Sequence, residues 1–394
     1  QNAFNATNIL YDYLGSGGVY IGNRICVYFP AGRYKLSSTI NIDGYHLNII
    51  GNNAIIITSE PFTGNYVFDI HRGYYFTMRG FIIDSNIPAI KIYNYDVDRG
   101  KVTFEKMSFE GNPCSIDCYD ESDVNKTLQS TQIVIDNCRF SGSRIGKFHS
   151  DMAIISNSWI SGYPIENDED YQVLNNNRME IKNLLAVPDG SILNSTFKEF
   201  AWIKNTGTHL TISDSRIGGE YGGMTLVNNY NQNANIFVER SSVHCYRPTT
   251  DANGDLDSSV FRFFETPNLL LFNKCYGSPD KNRLIFKKAV NGNINSNSKL
   301  ILKDIDMAIL NKNFVFSDIM YEYYSQTSYK TYPKSIGGGQ IIRSIIKTQT
   351  NRGQYIIQAI DYYGRATIKI INLEGTFGEL LYEATPIKTD TASP

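Results

Sequence analysis

The chain has 394 residues and a net charge of −2, and charged residues make up 19% of it, below the usual quarter. This balance gives no electrostatic footprint for nucleic acid or an acidic membrane surface, and no apolar run approaches the ~18 residues of a membrane span. Tyr (27) and Phe (21) are abundant, while six Cys and five His are scattered. Cys114 and Cys118 form the one close Cys pair, but no His/Cys cluster completes a site, so neither a metal nor a cofactor is expected.

Residues 1–22 are polar, with one helical pattern from Phe4 to Leu14 that ends at Gly15-Ser-Gly-Gly. Such a piece suits an N-terminal cap over the open end of a stack. The start at Gln1 without Met suggests a fragment of a longer protein. Next comes VYFPAGRYKLSSTI, Val27 to Ile40, an extended run, a Pro-Ala-Gly turn and a second alternating strand.

From Leu47 an eight-residue pattern recurs: two inward apolar slots, a bend, and two more inward slots. It reads LNIIGNNA at Leu47, FTMRGFII at Phe76, VTFEKMSF at Val102, IVIDNCRF at Ile133 and AIISNSWI at Ala153. It continues as GSILNSTF at Gly190, LTISDSRI at Leu210, IFVERSSV at Ile236, LLLFNKCY at Leu269 and LILKDIDM at Leu300. Starts are 20 to 37 residues apart. A unit repeating at this period means a stacked repeat, and its internal period of two means strands rather than helices. The bend slot is filled by Asn137, Asn157, Asn194, Asp214, Arg240, Asn273 and Asp304. Asn side chains stacked at a bend can hydrogen-bond their copies about 4.8 Å above and below. The expected fold is all-β, a right-handed parallel β-helix of about ten coils over 23–316.

Two inserts interrupt the stack. Residues 165–171 are an acidic loop, read as a solvated charge run; residues 244–257 mix His, Tyr, Arg and Asp and are the better candidate to line a site. Asp251 to Asp257 has the beginning of a calcium loop, but Arg262 stands where the closing Glu would be, so calcium is not expected. Beyond 317 the texture changes to alternating strands at 340–348, 354–362 and 366–373, separated by Asn351-Arg-Gly and Tyr363-Gly turns. This predicts a C-terminal antiparallel β domain over 317–394.

The opening VYFPAGRYKLSSTI followed by LNIIGNNAII resembles the start of the pectate-lyase-like β-helix of bacteriophage tailspikes and capsule depolymerases. The coil pattern extends the resemblance over roughly residues 19–310. It implies a bacterial capsular or O-antigen polysaccharide as partner, and a homotrimer held by the C-terminal part. It also implies a protein made in the host cytoplasm and carried on the virion tail. The fold hosts hydrolases, lyases and esterases, so the reaction must come from the residues.

No nucleophile elbow, zinc-protease motif, phosphate loop or dinucleotide fingerprint occurs. Carboxylates and aromatics on an outer face remain, which suits glycoside hydrolysis: paired carboxyls ~5–5.5 Å apart retain, and ~6.5–9.5 Å apart invert, the anomeric centre. Three sets are readable. The favoured set is Glu220 as general acid, after Gly218-Gly219, with Asp214 or Glu239 as base. Arg216, Tyr221, His244, Tyr246 and Arg247 lie near it in register as substrate-binding residues. The others are Asp84 with Glu110 and Glu105 with Asp136, each sharing a slot on neighbouring coils. Trp159 points outward as a sugar platform or a subunit contact. Elimination by a polysaccharide lyase, with Arg216 and His244 serving an enolate route, is one alternative. A non-catalytic glycan-binding adhesin is the other.

Overall fold

The computed structural model describes residues 25–93, 100–118, 128–143, 145–148, 150–161, 171–175, 178–186, 201–219, 225–245, 261–275, 286–293, 295, 297–309, 346–350, 353–360 and 366–376. The N-terminal cap and the inserts at 165–170 and 246–257 lie outside these, as does the repeat at Gly190. The described residues are all β, without a helix, and so without one that could cross a membrane. They belong to two compact units, Gln1–Asp189 and Gly190–Pro394.

In the first unit successive coils contribute strands to three parallel faces, consistent with a β-helix. The first coil runs through 25–29, 32–36 and 40–43, and each piece pairs in register with 47–51, 54–58 and 68–71 of the second. The third coil follows at 76–79, 81–84 and 90–93, and the fourth at 102–105, 108–110 and 116–118. The stack continues through 133–136, 139–141 and 146–148, then 153–156, 159–161 and 173–174. Arg178–Lys182 and Leu185–Ala186 add a further coil. Like slots stack on like slots. Ile49, Met78, Phe104, Ile135, Ile155 and Ile181 form one buried column, and Ile83, Phe109, Phe140 and Ile160 another. Phe109 and Phe140 stack with centroids 5.1 Å apart and planes at 10°, which adds about 1 kcal/mol to the burial.

The second unit repeats the scheme. Strands 209–213, 235–239, 269–273 and 299–303 share its first face. Arg216–Gly219 pairs with Ser242–Cys245 on the second face, and 201–205, 225–229, 261–263 and 286–288 lie on the third. Asn205 and Asn229 are buried side by side at the end of the third face, joined by an Nδ2 to Oδ1 hydrogen bond of 2.8 Å. Ala366–Thr376 runs antiparallel to Lys299–Ile309, and Ile346–Thr350, Gly353–Ile360 and Ala366–Thr376 form an antiparallel meander. Antiparallel pairing is thus present among the described residues of 346–376, and one of these strands pairs directly with the last described parallel strand.

The bend between first and second faces is set by one residue in the left-handed region. Lys106, Asn137, Asn157, Asn183, Asp214, Arg240, Lys274 and Asp304 hold φ between 46° and 54°. Their N–H groups reach across to the next coil: Lys106 to Asp136 O, Asn157 to Lys182 O, Asp214 to Glu239 O and Arg240 to Asn273 O, at 2.9–3.1 Å. The asparagine ladder forms in part: Asn183 donates to Asn157 Oδ1 at 2.9 Å, and Asn157 donates to Asp136 Oδ1 at 2.8 Å.

Two details of the sequence reading change. Ile236 pairs with Leu270, not Leu269, so Lys274 rather than Asn273 holds the bend. A run of three leucines carries no alternation, so it leaves the phase of a period-two pattern open. The coil at Met179 was not recognised, although MEIKNLLA carries the same alternation with Asn183 at its bend.

Candidate functional site

In the second unit, Asp214 stands at the bend between His209–Ser213 and Arg216–Gly219, and Glu239 ends the strand of the next coil. Glu239 pairs with Ser213, and Arg240 occupies the slot directly beneath Asp214. The guanidinium grips Asp214 with both forks, Nε to Oδ1 at 2.7 Å and Nη2 to Oδ2 at 3.0 Å, while Nη1 reaches Glu239 Oε2 at 3.2 Å. Asp214, above all, and Glu239 raise the Arg240 pKa above its ordinary range. Both oxygens of Asp214 therefore face donors already in place, and a water or sugar hydroxyl would have to compete with a two-toothed ion pair.

Arg216 is exposed and pairs with Ser242, and the backbone of His244 lies beside Gly218 on the adjacent coil. Glu220, Tyr221, Tyr246 and Arg247 lie outside the described residues. The structure thus brings Asp214 and Glu239 together through Arg240.

The other two pairs lie where the register expected them. Glu105 opposes Asp136, but each is engaged: Lys106 Nζ lies 3.3 Å from Glu105, and Asp136 accepts Ser156 Oγ at 2.6 Å and Asn157 Nδ2 at 2.8 Å. Asp84 opposes Glu110 on the second face, one ladder step away, about 4.8 Å between strands. Asp84 is exposed, and Glu110 is half-buried with Ser108 Oγ donating to its Oε1 at 3.2 Å. Among the described residues neither makes an ion pair. Ser141 and Ser161 continue their column and leave room along it. Two like charges placed directly opposite are mutually destabilising. Trp159 does face outward, half-buried, but its ring is covered by the Arg139 guanidinium at 4.5 Å, and Arg139 is its ladder neighbour.

Across the third face of the first unit, Asn41, Asp69, Lys91 and Asp117 share one outward slot. Lys91 Nζ lies 3.2 Å from Asp117 Oδ2, both side chains being nearly buried, and Tyr66 donates its hydroxyl to the same oxygen at 2.7 Å. Burial, then the Asp117 charge, raises the Tyr66 phenol above its ordinary range, so it stays a hydrogen-bond donor. Sequence reasoning missed this cluster because the third-face strands are only four residues or so long and follow loops of varying length. Among the described residues no group of three or more His, Cys, Asp or Glu is placed to hold a metal ion, and Cys114 and Cys118 form no disulfide.

No family model, curated protein or solved structure matches the chain. Function therefore has to be argued from the coil surface itself.

Proposed function

We propose that the chain is the glycan-cleaving part of a bacteriophage tailspike, hydrolysing internal glycosidic bonds of a bacterial capsular or O-antigen polysaccharide. In this proposal the parallel coils form a right-handed β-helix of about ten turns. The C-terminal strands hold three copies together, and the protein acts from the virion tail after being made in the host cytoplasm. What carries the reading is the Asp84 and Glu110 pair: two outward carboxylates one coil apart, with no ion pair among the described residues. Glycoside hydrolysis by retention needs two carboxyls at about that spacing, one to protonate the leaving oxygen and one to attack the anomeric carbon. A rigid parallel ladder fixes the spacing without any loop having to move.

The Asp214, Arg240 and Glu239 clasp supports a second reading for the second unit, a surface that binds glycan without cutting it. A guanidinium held by two carboxylates presents planar hydrogen-bond groups, and both oxygens of Asp214 are already engaged. The elimination route has less support, because the basic residues it would use, Arg216 and His244, are placed opposite Ser242 and Gly218 rather than facing each other.

The test is incubation of the full chain with a panel of purified capsular and O-chain polysaccharides, followed by size-exclusion chromatography. The expected result is a fall in chain length for one of them, slowed about a thousandfold in Glu110→Gln and in Asp84→Asn. A polysaccharide that is bound for days without shortening would favour the adhesin reading instead.

A further inference from the structure

In the first unit the chain turns from the third face back to the first by the same short motif on successive coils. Gly44-Tyr45-His46-Leu47 makes the turn once, and Gly73-Tyr74-Tyr75-Phe76 makes it again on the next coil. Each glycine sits close against an isoleucine of the next coil. A Cβ on Gly44 would meet Ile70 Cγ2 at 2.7 Å, and one on Gly73 would meet Ile92 Cδ1 at 2.7 Å. The corner is then fixed from coil to coil by backbone hydrogen bonds, Gly44 N–H to His71 O at 2.7 Å and His46 N–H to Tyr74 O at 2.8 Å.

The residues that follow are a costly choice. His46 has φ 54° and Tyr75 φ 50°, where a side chain is disfavoured and Gly or Asn is the ordinary occupant. Nothing about the turn asks for a ring there. What the rings do is build a surface. His46 stacks on Tyr75 with centroids 5.4 Å apart and planes at 28°, and Tyr45 stacks on Tyr74 at 5.0 Å and 19°. Among the described residues Tyr75 is one of the few large apolar residues left exposed, at 39%. A strained backbone that persists beside an exposed aromatic surface points to a use for the side chain.

The electrostatics narrow the ligand class. Among the described residues Arg72 is a cation at this corner, its guanidinium carbon 5.7 Å from the Tyr45 ring centroid. Both its Nε and Nη2 donate to the two oxygens of Asp43, so its charge is matched within the protein. The corner therefore offers ring faces edged by a neutralised ion pair. A tyrosine face carries negative charge density that attracts the C–H edge of a pyranose, while the paired Arg72 and Asp43 are hydrogen-bond groups of both kinds at its border.

We infer that this corner is a stacking subsite for a neutral hexopyranose ring, with Tyr75 as its platform, flanked by His46. The proposal above enters only through the expectation that the natural ligand is a polysaccharide chain passing this corner.

The probes are methyl β-D-glucopyranoside and methyl β-D-galactopyranoside, read by saturation-transfer NMR on the full chain. The expected result is transfer to the sugar C–H protons in the wild type, lost in Tyr75→Gly and Tyr75→Asn. Because φ 50° suits Gly and Asn, both Tyr75 variants are expected to melt within about 4 °C of wild type, which a merely structural tyrosine would not allow. Transfer that survives in both variants overturns the inference, as does no transfer from either glycoside. Stronger transfer from methyl β-D-glucuronide than from both neutral probes overturns the ligand class. Loss of melting temperature together with binding assigns Tyr75 to packing and overturns it too. Tyr75-dependent transfer in a protein that cuts no polysaccharide supports the subsite and removes the proposed cleavage alone.

Discussion

Gly80→Ala tests the stacking geometry at a point where two coils approach closely. Gly80 holds the bend of the third coil at φ 76°, where the fourth and fifth coils use Lys106 and Asn137. The difference comes from the coil before it: the register jumps from Ile50 opposite Arg79 to Ala54 opposite Phe81, so the second coil carries two extra residues over this bend. Its Gly51 carbonyl oxygen would lie 2.1 Å from a Cβ on Gly80. That atom is backbone and cannot rotate away. The left-handed φ costs an alanine about 1–2 kcal/mol, and forcing backbone apart in a packed stack about 1–3 kcal/mol more, so a total of about 3 kcal/mol is expected. Hydrogen exchange read by mass spectrometry on peptides spanning Phe76–Asp84 should then run about a hundredfold faster, because local opening is easier by that amount. Lys106→Gly is the control. It has the same bend slot and φ 54°, and a glycine there relieves strain, so protection of Gly100–Glu105 should be unchanged or higher by up to about 1 kcal/mol. An alanine at 80 with wild-type protection, or a Lys106→Gly as damaging as Gly80→Ala, would refute the reasoning.

Other perturbations follow from the same contacts. Asp117→Asn removes the carboxylate 3.2 Å from the nearly buried Lys91 and should cost about 3 kcal/mol in urea unfolding, whereas replacing both by Met and Leu should cost less. Arg240→Ala should leave the melting temperature almost unmoved, since the pair is solvent-exposed, so any loss of glycan binding would report a functional clasp. Burial pushes the Cys138 thiol up to about 12 and the Cys275 thiol up to about 11, so only exposed thiols such as Cys26 should react with Ellman's reagent at pH 8 in the folded protein. Both folded values lie above the thiol's ordinary one, so the unfolded chain ionises first. The stability these thiols contribute is complete below about pH 9 and should be lost as pH rises towards 11–12, seen as a falling urea midpoint.

Much of this architecture was legible where the alternation is unbroken. The segments at Phe76, Val102 and Ile133 fix the phase of their strands, so the pairing of Asp84 with Glu110, 26 residues apart, could be read before any coordinates. The same spacing puts Asp214 and Arg240 in one bend slot. Their ion pair is therefore legible too, as opposite charges in a shared slot. The Leu269 slip comes from a leucine run, across which a phase cannot be assigned, whereas the coil at Met179 carries its own alternation and was legible. The third face was harder. Its strands are short, the loops before them vary, and the pairing of 366–376 with 299–309 is a contact between distant parts of the sequence that no local period announces. The Gly-Tyr repeat before Leu47 and Phe76 is a local signal that could have pointed to the aromatic corner.

The central claim is that carboxylates one coil apart cleave a polysaccharide. The direct measurement is proton NMR of the anomeric signal during cleavage of whichever capsular or O-chain polysaccharide the wild type shortens, run beside Asp84→Asn, Glu110→Gln and Glu220→Gln. The account predicts products that first appear with the anomeric configuration of the substrate, and no products within the same time from Asp84→Asn or Glu110→Gln. Inverted products, or full activity in both variants with the loss confined to Glu220→Gln, would contradict it and move the chemistry to the second unit.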